Sequence, residues 1–148
     1  MVARYEQFCF AISGIYRDIQ KIERDEMIKR GYKGAFAQYL AVMRRFPDGV
    51  TAAQLCELCD RDKAAVSRVL AEMEEKGLVT RDSGQPYRAV VRLTESGWEL
   101  VRFVCDRAGK AVAEAGGDLT DPDRKALYGA LEKIAARLQM LSRDGLPE

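Results

Sequence analysis

The chain has 148 residues, 47% apolar and 32% charged, with 24 Lys/Arg, 23 Asp/Glu and no histidine. That is one domain's worth of sequence with room for a sizeable core, and its near-neutral charge is only weak support for nucleic-acid binding. Without histidine there are no Ser–His or Cys–His pairs and no imidazole metal ligand, so no enzyme, cofactor or metal site is expected.

No apolar run approaches the roughly 20 residues that span a bilayer. The N-terminus, MVARYEQFCFAISG, carries acidic and polar residues where a signal peptide needs a basic start and an unbroken apolar core. A cytoplasmic protein without membrane contact is expected. Residues 4–30 then read as one long helix, with Tyr5, Phe8, Ile12, Ile15, Ile19 and Ile22 at alternating steps of three and four. Such a heptad seam suits packing along another helix. Gly31 closes the helix as a C′ residue.

Residues 35–46 predict a second, more apolar helix whose Phe36, Tyr39, Leu40 and Met43 share a buried face. Phe46-Pro47-Asp48-Gly49 is a stop and turn, and Val50 begins a short extended segment. Thr51 to Gln54 has a capping-box pattern. The helix it opens runs to about Cys59, with Leu55 and either Leu58 or Cys59 inward. Asp60-Arg61 is the turn, and Asp62 is the N-cap of the next helix.

That helix, residues 63–76, is amphipathic. Val66, Val69, Leu70 and Met73 follow the i, i+3, i+4, i+7 rule and face inward. Lys63, Ala64, Ser67 and Arg68 fall on the outward face of its first two turns. Small residues flanking two cations suit close approach to a major groove, which a helix reads mainly with its N-terminal residues. The acidic end, Glu72, Glu74 and Glu75, points away from phosphate. Taken alone, the same face could be a solvated surface.

Gly77 caps the helix, Leu78-Val79-Thr80 starts a strand, residues 82–86 form a loop, and Tyr87 to Thr94 is the returning strand. In it Arg88, Val90 and Arg92 alternate with Ala89, Val91 and Leu93, which gives Arg88 and Arg92 a common outer face; Arg81 lies on the opposing strand. Arginines on a β-ribbon suit backbone or minor-groove contact, or they blunt an edge hairpin. Residues 61–92 hold seven Lys/Arg and five Asp/Glu, a balance of +2 against −1 for the rest. The DNA-binding set is then Thr51, Gln54, Lys63, Ala64, Ser67, Arg68, Arg81, Arg88 and Arg92.

Thr94 caps a helix over 95–115, with Val101, Val104, Cys105, Ala108 and Val112 on its buried face. Thr120-Asp121-Pro122-Asp123 starts the last helix, where Leu127, Leu131, Ile134, Leu138 and Leu141 repeat the four-three seam. The expected fold class is mainly α with a small β-wing. A winged helix-turn-helix lobe, about 48–96, is flanked by dimerisation helices, about 4–30 and 118–144, in a single domain. A monomer could bury the two seams against each other. An intertwined homodimer would use them to set two recognition helices about one DNA turn apart, on a pseudo-palindromic double-stranded site.

Leu55 through Gly97 resembles the MarR family of bacterial transcription regulators. The matching residues are DKAAVSRVLAEMEEKGLV (Asp62–Val79) and VVRLTESG (Val90–Gly97), and the helix order fits that family's six-helix, two-stranded-wing layout. The resemblance implies an obligate homodimer, usually a repressor, released from DNA by a small molecule or by thiol oxidation. It puts Lys63, Ser67 and Arg68 in the recognition helix and Arg81 and Arg88 in the wing. It also implies an effector pocket near Ile12, Tyr16, Tyr39 and Met43. The family's wing has Asp-x-Arg with the arginine seven residues before the threonine of Leu-Thr; here those slots hold Gln85 and Tyr87. A winged-helix module that binds a protein partner instead of DNA is the alternative of another class.

Gln7-Phe8-Cys9-Phe10-Ala11 is similar to a segment of the family's organic-hydroperoxide-sensing branch, whose cysteine is oxidised. A sensing thiol must be partly thiolate and reachable. Where that branch supplies tyrosines this chain has Glu23 and Phe36, and a nearby carboxylate raises a thiol's pKa. Cys9 is therefore either a redox site or a helix-packing residue. Cys56 and Cys59 stand where the family has Ala and Leu, and all four cysteines read as reduced thiols.

Overall fold

The computed structural model of the chain describes residues 1–82 and 88–146. Helix α1 (Val2–Lys29), α2 (Phe36–Met43), strand β1 (Val50–Thr51), α3 (Ala52–Cys59), α4 (Lys63–Glu75), β2 (Val79–Arg81), β3 (Val90–Leu93), α5 (Glu95–Ala115) and α6 (Asp121–Asp144) follow in order. The chain divides into two compact units, Met1–Val112 and Ala113–Glu148.

In the first unit the local signals in the sequence act as expected. Helix α1 ends in a Schellman arrangement: Gly31 takes φ +81°, while the Gly31 and Tyr32 N–H groups donate to the carbonyls of Ile28 and Met27. The same device closes α4 at Gly77. Both positions need a left-handed backbone that glycine adopts without steric cost. Thr51 forms the full capping box: its Oγ1 accepts from the Gln54 N–H at 3.2 Å, and Gln54 Oε1 accepts from the Thr51 N–H at 2.9 Å.

The core is built from Leu55 of α3, Val66, Leu70 and Met73 of α4, Leu78, and Val91 of β3. Met27 of α1 and Phe36, Tyr39, Leu40 and Met43 of α2 join it. Of the two residues left open on α3, Cys59 is the inward one at 2% exposure and Leu58 is 46% exposed. Helix α5 approaches the start of β2 so closely that a Cβ at Gly97 would collide with the Leu78 carbonyl oxygen.

Two boundaries and the make-up of the sheet differ from the sequence-based expectation. Helix α2 stops at Met43 rather than 46, because the chain tightens into i→i+3 bonds from Arg45 and Phe46 before Pro47. The sheet has three antiparallel strands in the order β1-β3-β2, with Val50 opposite Val91 and Arg81 opposite Val91. Strand β3 begins only at Val90, leaving Arg88 in a turn. Arg88 and Arg92 therefore do not share a strand face. Tyr87, Gln85 and the rest of 83–87 lie outside the described residues.

On α1, the seam residues Tyr5, Phe8, Ile12 and Ile15 are exposed. Glu26, by contrast, is buried, with Lys29 Nζ at 2.6 Å and Arg107 Nε of α5 at 3.2 Å; these partners hold its carboxylate below the usual range despite burial. On α5, Leu100, Val101, Val104 and Ala108 are buried, Cys105 is half-covered and Val112 is exposed. Val112 thus leaves the predicted buried face.

In the second unit Thr120 caps α6, its Oγ1 accepting from the Asp123 N–H, and Pro122 sits in the first turn. No residue of α6 is buried, and Leu127, Ile134 and Leu138 of its seam are exposed.

Candidate nucleic-acid interface

Helices α3 and α4 are joined by a turn of three residues that the sequence builds from both ends. Asp60 adopts a left-handed φ of +51°, a conformation that Asp and Asn tolerate better than most residues. The Arg61 N–H donates to the Cys56 carbonyl at 3.0 Å, closing α3. Asp62 then starts α4, its Oδ1 accepting from the Ala65 N–H at 2.8 Å. That bond holds the Asp62 carboxyl below its usual pKa. With Val66, Leu70 and Met73 in the core, the 3.6-residue repeat leaves Lys63, Ala64, Ser67 and Arg68 exposed on the opposite side. The predicted outward face of α4 is present as a single stripe.

The remaining predicted DNA contacts stand differently. Thr51 and Gln54 are engaged with each other in the cap. Arg81 is folded back along β2: its side chain is 19% exposed, with Nε 3.3 Å from Glu74 Oε2 of α4. That is within charge attraction but too poorly aligned for a hydrogen bond, so Nε is buried without one. Arg92 donates from Nε to the Asp48 carbonyl at 3.0 Å and from Nη1 to Asp82 Oδ1 at 2.6 Å. Arg88 is the wing arginine that stands exposed. The acidic end of α4 is not idle either, since Glu72 pairs with Lys33 at 2.7 Å. These pairings cross loops and strands, so neither periodicity nor spacing revealed them.

The four predicted pocket residues are only half reunited. Tyr16 and Tyr39 line a cleft of about 900 Å³ between α1, α2 and the α3–α4 pair. Met43 is instead packed in the core, and Ile12 stands exposed on α1. Leu58 and Val69 also line it, so part of the cleft belongs to the helix that carries the exposed stripe. Arg24, Arg45 and Arg61, which the sequence reading passed over, also line it.

Cys9 is half-covered on α1. It is 14 positions from Glu23, roughly 21 Å along a helix at 1.5 Å per residue, so that carboxylate is not its neighbour within the chain. Glu23 sits instead beside Arg44 and Cys105 in a small apolar recess. Burial raises its pKa and the Arg44 charge opposes the rise. Arg44 Nη1 lies 2.6 Å from Cys105 Sγ. Cys56 and Cys59 form no metal cluster with other side chains among the described residues. Burial pushes the Cys59 thiol up, which makes it less reactive.

A MarR family model matches residues 30–89, which run from the end of α1 through β2 and stop just before β3. Residues 30–89 are thus similar to the MarR family, over somewhat less than half of the chain. No curated protein matches the sequence at a significant level. Solved MarR regulators share the fold. One from Methanosarcina mazei Go1 has a TM-score of 0.75 at 22% identity, covering 92% of this chain and 99% of that one. One from Silicibacter pomeroyi has a TM-score of 0.68 at 21% identity, over 86% and 87% of the two chains. A Staphylococcus aureus MepR mutant bound to an oligodeoxyribonucleotide has a TM-score of 0.60 at 19% identity, over 88% and 97%. The matched segment includes the capped helix pair, and the M. mazei and S. pomeroyi proteins are transcriptional regulators. No described helix is long and apolar enough to cross a membrane.

Proposed function

We propose that this chain is a MarR-type regulator, homodimeric and cytoplasmic, that binds duplex DNA and represses transcription until a small molecule releases it. The observation that carries the reading is the exposed Lys63-Ala64-Ser67-Arg68 stripe on α4, held by a capped turn and a buried opposite face. Such a stripe enters a major groove with its N-terminal residues against base edges. Arg88 supplies a backbone contact from the wing. The S. aureus relative bound to an oligonucleotide supports the same use of the fold.

Dimerisation is supported by the exposed seams of α1 and α6, whose Tyr5, Phe8, Ile15, Leu127 and Leu138 call for a partner surface. Release by a small molecule is supported by the cleft behind α4, since a ligand touching Val69 and Leu58 would bias the position of the reading helix. Binding of the DNA upstream of the protein's own gene, followed by fluorescence anisotropy across a salt series, tests the reading. Affinity should fall steeply with salt as counterions are released. Absence of binding at low salt would refute it and favour a protein-binding winged helix.

A further inference from the structure

The wing has a built-in brace centred on Arg92. Strand β3 lies at the centre of the sheet, and Arg92 on it reaches both neighbours. Its Nε–H donates to the Asp48 carbonyl, in the turn that leads into β1. Its Nη1–H donates to Asp82, which follows β2. The path is prepared by Gly49. That residue has φ +106°, and a Cβ there would collide with Val90 Cγ1 and lie 2.9 Å from Arg92 Cγ. Only a residue without a side chain lets the arginine stem cross the turn.

We propose that Arg92 is a positioning residue for DNA binding and not a DNA contact: with Asp48 and Gly49 it holds Asp82, the entry to the wing, in place. The proposal rests on the DNA-binding reading above. The Asp82 N–H also donates to the Val90 carbonyl at 3.0 Å, so this end of the wing is held by backbone and side chain together. Arg88, the exposed wing arginine, follows residues 83–87 at the other end. Fixing Asp82 narrows the positions Arg88 can take before DNA arrives, which lowers the ordering cost of binding. Both partners are partly exposed, Arg92 at 42% and Asp82 at 54% of their side chains. Such a pair contributes little to overall stability, so its consequence should fall on binding.

The sign of one substitution separates the two roles. Asp82→Asn removes a negative charge near DNA and takes away the ion pair that holds the Arg92 guanidinium. If Arg92 were a phosphate contact, binding would tighten. As a brace, its loss weakens binding by about two- to fivefold, the range open to a partly exposed ion pair. Arg92→Lys keeps the charge but not the guanidinium fork that bridges two acceptors, and should weaken binding to the same degree. The measurement is competition anisotropy on a duplex selected by the unmodified protein from a randomised pool, with thermal melts to confirm equal stability. Unchanged or tighter binding by either variant overturns the brace while leaving the DNA reading intact. Failure of the unmodified protein to select any duplex overturns both.

Discussion

Helix α4 and the wing both carry basic side chains on one lobe, yet they hold them in opposite ways. On α4 the inward residues Val66, Leu70 and Met73 fix the rotation of the helix, and its repeat turns Lys63, Ser67 and Arg68 outward. In the wing, Arg81 is caught by Glu74 and Arg92 by Asp82 and the Asp48 carbonyl. A basic residue on a helix face is placed by its own element. One on a short hairpin is placed by whichever acceptor the neighbouring elements bring within reach.

The strongest way to break this contrast is to remove what fixes α4. Leu70→Ala, at a fully buried position, should cost about 2–5 kcal/mol of stability. The loss is read in urea unfolding, and DNA affinity should fall with it. A loss under about 1 kcal/mol would mean that the helix is not held by its apolar face. Next in size, Arg68→Ala should weaken cognate binding by about 1–3 kcal/mol while leaving the unfolding midpoint in place. Equal binding by Arg68→Ala and the unmodified protein would remove the base-reading role.

Thr51→Ala sharpens the contrast from the other side. As a cap residue Thr51 should contribute about 1 kcal/mol to stability, and DNA binding measured well below the melting transition should be nearly unchanged. A large affinity loss with no stability loss would make it a contact after all. The smallest effect concerns the two remaining wing arginines. Arg88→Ala should lower the slope of log K against log salt by about 1, as one phosphate contact does. Arg81→Ala should leave the slope where it was, since its guanidinium faces Glu74. Equal slopes for both variants would erase the distinction between a free and a tethered wing residue.

Much of the fold was legible from the sequence because its cues are local. The capping box at Thr51–Gln54, the N-caps at Asp62 and Thr120, and the positive-φ glycines at 31 and 77 each act within a few residues of themselves. What was left open or misread depended on chain neighbours far away. Leu58 and Cys59 both fit a helical repeat from Leu55, and only packing against the core chose Cys59. The alternation from Arg88 to Leu93 looked like one strand, but pairing with β2 reaches only from Val79 opposite Leu93 to Arg81 opposite Val91. Of the predicted pocket, Met43 went to the core because the same apolar face that suggested a cleft is the one α2 buries.

By itself, then, the sequence determined the helix order, the capped turn and which face of α4 looks outward, since helix period and end chemistry need no distant partner. Only the tertiary structure decided what the wing arginines do. A side chain that long and flexible takes the acceptor that is nearest in space. For Arg92 this is an aspartate ten residues back and a carbonyl 44 residues back, brought together by a three-stranded sheet.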